Sequence, residues 1–196
     1  MGRPREFDEP TVVAAAQGAF WARGYSGTSL ADLMAATGLG KGSLYGAFGD
    51  KHRLFLRAFD EYCADALAGV EAELTGAGPA YPRLVAHIRG AAESTISDEA
   101  RRGCFLAKGT AELAAVDEAV SERVRHTFAR LGELLAECVA AAQREGDLDG
   151  RVDPRQLAAT VLATLRGIEA LGKAGADADT LRGIAATTIA LLPRTA

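Results

Sequence analysis

TSLADLMAATGLGKGSLYGAFGDK, residues 28–51, reads as two short helices joined by a tight glycine turn. Thr28 or Ser29 caps the first, with Asp32 three to four residues on acting as a capping-box acid. Leu30, Leu33 and Met34 give that helix an apolar face, and Gly38 ends it. The second helix starts near Gly40 and closes at Gly49. It presents Lys41, Gly42 and Ser43 at its start, then Tyr45. Two short helices with small and polar side chains on the second have the build of a helix-turn-helix that reads DNA, here over about residues 29–48.

Outward from this stretch the whole chain reads as helix. Ala, Leu, Glu and Arg dominate, and β-branched alternation is absent. A first helix is expected from about Pro10 to Arg23, with Phe20 and Ala16 on one face and Gly24 as its stop. Asp50 caps a fourth helix carrying Leu54, Phe55, Ala58, Phe59 and Tyr62 on one side. Gly76, Gly78 and Pro79 then break the chain. That break divides a DNA-binding domain over residues 6–66 from a second domain over 78–196. In the second, helices are expected at about 81–97, from the RRGCF loop to about Ala115, at 117–145, 154–174 and 177–192. In the longest, Val120, Val124, Phe128, Leu131, Leu135, Cys138 and Ala142 step by three or four residues, a continuous buried stripe. The expected architecture is all-α: a three-helix head and a helical body, about nine helices in total.

Composition limits the function. No window approaches the roughly 18 apolar residues of a membrane helix. The start, MGRPREFDEP, has no apolar core after its basic residues and is not a secretory signal, so the cytoplasm is the expected location. Three cysteines without a CxxC pair argue against a disulfide framework or zinc cluster, and the three histidines form no metal-binding pattern. No metal, cofactor or catalytic set is expected. The only nucleophile–base arrangement to propose, Cys104 with His87 or His126, has nothing to bring it together. Net charge is −4. Residues 1–57 nevertheless carry seven Lys/Arg against five Asp/Glu, leaving 15 and 21 for the remainder. A mildly basic head on an acidic body suits a protein that docks DNA with one end.

The head resembles the TetR family of transcriptional repressors. The resemblance lies in AAQGAFWARGYSGTSLADLMAATGLGKGSLYGAFGDKHRLF, residues 14–55: Phe and Gly-Tyr at the end of the first helix, Thr-Ser-Leu, Lys-Gly-Ser-Leu-Tyr, Phe, and Lys with Leu-Phe. It implies that Thr28 and Ser29 offer hydroxyl and helix-start N–H groups to a phosphate. It also implies that Lys41, Gly42 and Ser43 enter the major groove, that Tyr45 lies on the sugar-phosphate backbone, and that Lys51 pairs with a phosphate. Gly46 and Ala47 stand where the family often carries larger side chains, so base reading rests chiefly on Lys41 and Ser43. Arg3 and Arg5 resemble a minor-groove arm; a solvated tail is the alternative.

The body carries the remaining candidates. Small residues crowd the last two helices, which makes Ala163, Gly167, Ala170, Ile184 and Thr188 candidates for a homodimer interface; burial under other helices of the same chain is the alternative. An apolar pocket between the fifth to eighth helices would take a small-molecule inducer, with Cys104, Phe105, His87, His126 and Phe128 as candidates to line it. Arg101, Arg102 and a helix start beside Cys104 would favour its thiolate, and a thiol sensor of oxidants or electrophiles is the alternative input. The expected function is a ligand-responsive repressor that leaves a palindromic double-stranded operator when an inducer binds. A helical enzyme or an interaction module without DNA binding is the remote alternative.

Overall fold

In this computed structural model, which describes residues 7–195, nine helices run in chain order. They are α1 (Glu9–Gly27), α2 (Leu30–Thr37), α3 (Lys41–Phe48), α4 (Lys51–Thr75), α5 (Ala80–Ser97), α6 (Phe105–Leu113), α7 (Glu118–Arg144), α8 (Pro154–Lys173) and α9 (Ala178–Ala190). Among the described residues the only extended pairing is an isolated antiparallel bridge, Leu148 with Arg194. The all-α expectation holds.

Punctuation by caps and glycines explains these boundaries. The Asp8 carboxylate accepts the Thr11 N–H at 3.1 Å and opens α1. Gly24, expected to stop α1, takes φ +77° and kinks it, and one further turn follows before Thr28. Gly38 at φ +70° closes α2 in the left-handed conformation that glycine adopts without a Cβ penalty. Asp153 and Asp177 cap α8 and α9 through the N–H groups of Arg155 and Thr180.

Contacts group the chain into two compact units whose limits fall inside α4, at the start of α6 and inside α7. Of the described residues, the first holds those up to Ala64 and residues 105–124. Its centre is aromatic: Phe20, Phe55, Phe59 and Phe105 are fully buried. Phe20 meets Phe55 edge-on at 5.2 Å between centroids, and Phe105 meets Phe59 and Tyr62 edge-on at 5.4 Å each. α6 comes close enough that a Cβ on Gly109 would stand 2.6 Å from the Phe59 ring. Lys108 and Glu112 of α6 clasp the α1 kink. Lys108 donates to the carbonyls of Trp21 and Ala22, and Glu112 accepts the Tyr25 N–H at 2.7 Å. A cation on exposed carbonyls and an anion on a stranded N–H are each the sign those backbone ends favour.

The second unit holds residues 65–104 and the described residues from Arg125 onward. Leu84 and Ile88 of α5, Leu135 and Val139 of α7, Val161, Leu165 and Ile168 of α8, and Leu181 and Ala185 of α9 form its core. The expected stripe on α7 is buried except at Phe128, which is half-buried. These contact units are a different quantity from the two domains expected from the Gly76–Pro79 break, which is where α4 ends and α5 begins.

Candidate nucleic-acid interface

The helix-turn-helix is built by burying one side of two short helices. Leu33 of α2 and Leu44 of α3 are fully buried, and Phe48 is nearly so. Burying those anchors leaves Lys41, Gly42, Ser43 and Gly46 exposed and Tyr45 half-exposed on α3. A Cβ added at Gly42 or Gly46 would meet nothing within 4 Å. These glycines, four residues apart, make the outer face of α3 smooth. Gly40 caps α3 without a side-chain hydrogen bond, so no side chain of its own cap covers the helix's N-terminal amides. Such amides and the dipole behind them favour an anion.

α2 is capped from within. The Ser29 hydroxyl accepts the Asp32 N–H at 3.1 Å while the Asp32 carboxylate accepts the Ser29 N–H at 2.8 Å. Hydrogen bonds from Ser29, and then from Arg23, hold the Asp32 carboxyl down at about 2. Ser29 stays exposed at the helix start. Lys51, at the first position of α4, places its ammonium 4.3 Å from the Tyr25 ring centroid. Burial lowers its pKa, while Glu112 opposes the shift. Next to it His52 pairs with Asp117.

Two of the expected roles need correction. Thr28 is fully buried, and its hydroxyl donates to the Gly24 carbonyl at 2.6 Å. The kink at Gly24 turns this hydroxyl inward, where it satisfies the carbonyl that the kink strands. Its N–H bonds the Tyr25 carbonyl, so Thr28 holds the corner and leaves the helix start to Ser29. Phe105 lies inside the aromatic core of the first unit, packed on Phe59 and Tyr62.

The other body candidates are scattered. His126 is exposed, and His87 is half-buried with Nδ1 2.6 Å from the Glu73 carboxylate. A recess of about 310 Å³ lies between α5 and α9, lined by Arg89, Ala92, Glu93, Arg182, Ala185 and Ala186, none of which was anticipated. Cys104 is half-buried. The guanidinium that reaches its sulfur is that of Arg166, from α8, with Nη1 3.4 Å from Sγ. Arg102 pairs with Asp98. Ala163 and Ala170 are exposed, and Gly167, Ile184 and Thr188 are half-buried. Arg3 and Arg5 lie outside the described residues. No helix among the described residues is long and apolar enough to cross a membrane, and no group of three side chains there could hold a metal.

The comparisons agree with this arrangement. Residues 12–58 match the model of bacterial regulatory proteins of the tetR family, and residues 80–188 match the Tetracyclin repressor-like C-terminal domain. The transcriptional repressor ComR of Escherichia coli (strain K12) is 28% identical over 193 residues, 98% of this chain and 92% of its own. A cysteine mutant of the regulator CifR, in complex with a 26-base-pair double-stranded operator, is 30% identical, with a TM-score of 0.84 over 97% of this chain and 100% of that one. A TetR regulator from Chloroflexus aurantiacus J-10-FL is 27% identical, with the same TM-score over 94% of this chain and 95% of its own. With its head and body each matching the family's own domain, the chain belongs to the TetR family and is a DNA-binding transcriptional regulator, not an enzyme.

Proposed function

We propose that the protein is a cytoplasmic homodimeric repressor that occupies a palindromic operator and leaves it when a small-molecule inducer binds the body. Residues 6–66 serve as the DNA-binding domain and 78–196 as the inducer-binding and dimerisation domain. The observation that carries this reading is the exposed first turn of α3, whose capping residue adds no side-chain bond to the helix amides. Lys41 and Ser43 offer donors to base edges there, while Gly42 and Gly46 allow close approach to the groove wall. Ser29 at the start of α2, with Tyr45 and Lys51, grips the backbone on either side. Two heads set by one dimer would reach half-sites about one helical turn apart. ComR and the CifR–operator complex support the repressor assignment by their similarity.

Ala163, Gly167, Ala170, Ile184 and Thr188 belong to the face through which α8 and α9 meet a second copy. The inducer acts by binding one arrangement of the dimer more tightly than the other. Footprinting purified protein on the neighbouring intergenic DNA tests the whole reading. A protected palindrome of two half-sites is expected; retention on duplex DNA without any protected sequence would defeat it.

A second input has one observation in its favour. Arg166 Nη1 lies 3.4 Å from the Cys104 sulfur, so a thiolate there would face a fixed cation, and modification of Cys104 would bias the same equilibrium.

A further inference from the structure

Two five-residue runs of the body share one pattern. Arg89-Gly90-Ala91-Ala92-Glu93 lies on α5, and Arg182-Gly183-Ile184-Ala185-Ala186 lies on α9. In each run the first, fourth and fifth residues stand on one face of the helix. Ala92 and Ala185 are buried, at 1% and 2% exposure, and offer only methyl groups where α5 and α9 pack. Glycine follows each arginine, and a Cβ added at Gly90 or Gly183 would meet nothing within 4 Å. With side chains this small between them, the two helices leave the recess of about 310 Å³. That volume is at the small end of the roughly 300–1,000 Å³ of ligand sites. Its floor is apolar, made by Ala92, Ala185 and Ala186, and its rim holds three exposed charged groups, Arg89, Glu93 and Arg182.

The fifth position of the pattern differs: it is glutamate on α5 and alanine on α9. One carboxylate therefore stands between two arginines. Arg182 takes both of its oxygens, with Nε donating to Oε1 at 2.7 Å and Nη2 to Oε2 at 2.8 Å. These bonds hold the Glu93 carboxyl below the ordinary carboxylate range, so it stays ionised and committed to Arg182. Asp179, three residues earlier on α9, adds its field to Arg182 as well. Arg89 makes no hydrogen bond or ion pair among the described residues. The rim thus carries one cation in excess above an apolar floor.

We propose that the recess between α5 and α9 binds a small apolar monocarboxylate, with the carboxylate on Arg89 and the apolar part against Ala92, Ala185 and Ala186. The charge count points to this class. A neutral ligand gains nothing from Arg89, a cation is repelled by it, and a dianion finds the second guanidinium already taken. The planar guanidinium suits a carboxylate, which it meets through two parallel N–H bonds. This deepens the inducer reading above and rests on it only for its consequence at the operator. Ala186 also belongs to the exposed small-residue face of α9. A ligand in the recess therefore lies at the border of the face proposed for the second copy, where it would bind one arrangement of the dimer more tightly than the other.

The experiment titrates the full chain, without DNA, with 2-naphthoate and follows the fluorescence of the ring. Saturable binding is expected. 2-Naphthamide, the same ring without the charge, should bind about fivefold more weakly, and acetate, the same charge without the ring, about tenfold or more. Arg89→Ala should cost naphthoate about fivefold and leave naphthamide unchanged, while Arg89→Lys should keep most of the affinity. Glu93→Gln releases Arg182 and should tighten naphthoate several-fold. Glu133→Gln, which breaks the pair with Arg130 on α7, should change nothing. The three substituted side chains are exposed. Naphthoate binding no tighter than naphthamide or acetate, or a naphthoate affinity that Arg89→Ala and Glu93→Gln leave unmoved, overturns the proposal. A mobility shift on the duplex protected in footprinting, with and without naphthoate, tests the operator consequence separately. Binding that depends on Arg89 but leaves the operator complex intact would refute the recess as the inducer's seat and leave the binding site standing. A failed footprint would strike the repressor reading and leave the naphthoate result untouched.

Discussion

Two helical surfaces of this protein are covered with small side chains, and what borders them separates their uses. On α3 the exposed Gly42, Ser43 and Gly46 adjoin Lys41 and a helix start whose cap adds no side-chain bond. Anything that settles there meets donors and positive potential. On α8 and α9 the exposed Ala159, Ala163, Ala170, Ala186 and Ala190 adjoin the exposed Leu171 and, just past α9, Leu191, which is 77% exposed. The only charged residues between Ala159 and Leu171 are Arg166 and Glu169, and they pair with each other. This surface offers backbone proximity and apolar area, which suits another helix. Smallness permits close approach in both places; under the proposed function the border chemistry suits a polyanion at one and a second copy of the chain at the other.

The largest effect should come from spoiling the α8–α9 surface. Ala163→Arg combined with Gly167→Glu places charge on it. A Cβ at Gly167 meets nothing within 4 Å, so the start of a side chain there meets no clash within the chain. Sedimentation should show a monomer, and operator affinity should fall by about 100-fold as two half-sites lose their linkage. A double variant that stays dimeric would assign this face to something else.

Changes on the α3 surface should cost less and leave assembly intact. Gly46→Phe fills open space on the outer face, and Tyr45→Ala removes a proposed backbone contact. Each should weaken operator binding by roughly tenfold, about 1.4 kcal/mol, in a titration with labelled duplex. Lys51→Ala should flatten the plot of log affinity against log salt by about one unit. Operator affinity like wild type in Gly46→Phe and Tyr45→Ala would detach α3 from the interface, and an unchanged salt slope in Lys51→Ala would detach the start of α4.

Thr28 provides a control that lies beneath the reading surface. Thr28→Val removes the hydroxyl that supports the Gly24 carbonyl. It should lower stability by about 1 kcal/mol, roughly 2–4 °C in Tm, with the salt dependence of DNA binding unchanged. A changed salt slope would return Thr28 to the phosphate contacts.

The smallest effect concerns acid. The Asp32 carboxyl sits at about 2 in the folded head, below its ordinary value of 3.8. A depressed carboxylate adds stability above its unfolded pKa and loses it as pH falls through the folded one, here between about pH 5 and pH 2. Thermal melts across that window should be less steep in pH for Asp32→Asn than for the wild type. Parallel curves would mean that the capping box is neutral in energy.

Much of the head was legible because its signals are local. Ser29 with Asp32, Gly38 and Gly49 each stop or start a helix through bonds spanning five residues or fewer, and the α7 stripe is a matter of period. Thr28 shows the limit of such reading. Its hydroxyl has the same capping chemistry as that of Ser29, and only the direction of the Gly24 kink tells them apart. Phe105 was misjudged because its partners, Phe59 and Tyr62, lie more than 40 residues away in sequence. The guanidinium beside Cys104 comes from a residue 62 positions later, while two arginines immediately before the cysteine offered a nearer explanation. His126 is exposed because it stands two residues from the buried Val124 and five from the buried Leu131, spacings that put it on the opposite side of the helix.

The bridge between Leu148 and Arg194 gives the carboxyl end of the chain a mechanical meaning. Asp149 donates its N–H to the Pro193 carbonyl at 2.8 Å, and the Arg194 guanidinium lies over the Tyr81 ring at 4.0 Å. Pro193 and Arg194 thus act as a latch that closes α8 and α9 into a loop fastened to the end of α7. Arg194→Ala would remove the cation over Tyr81 and loosen that latch.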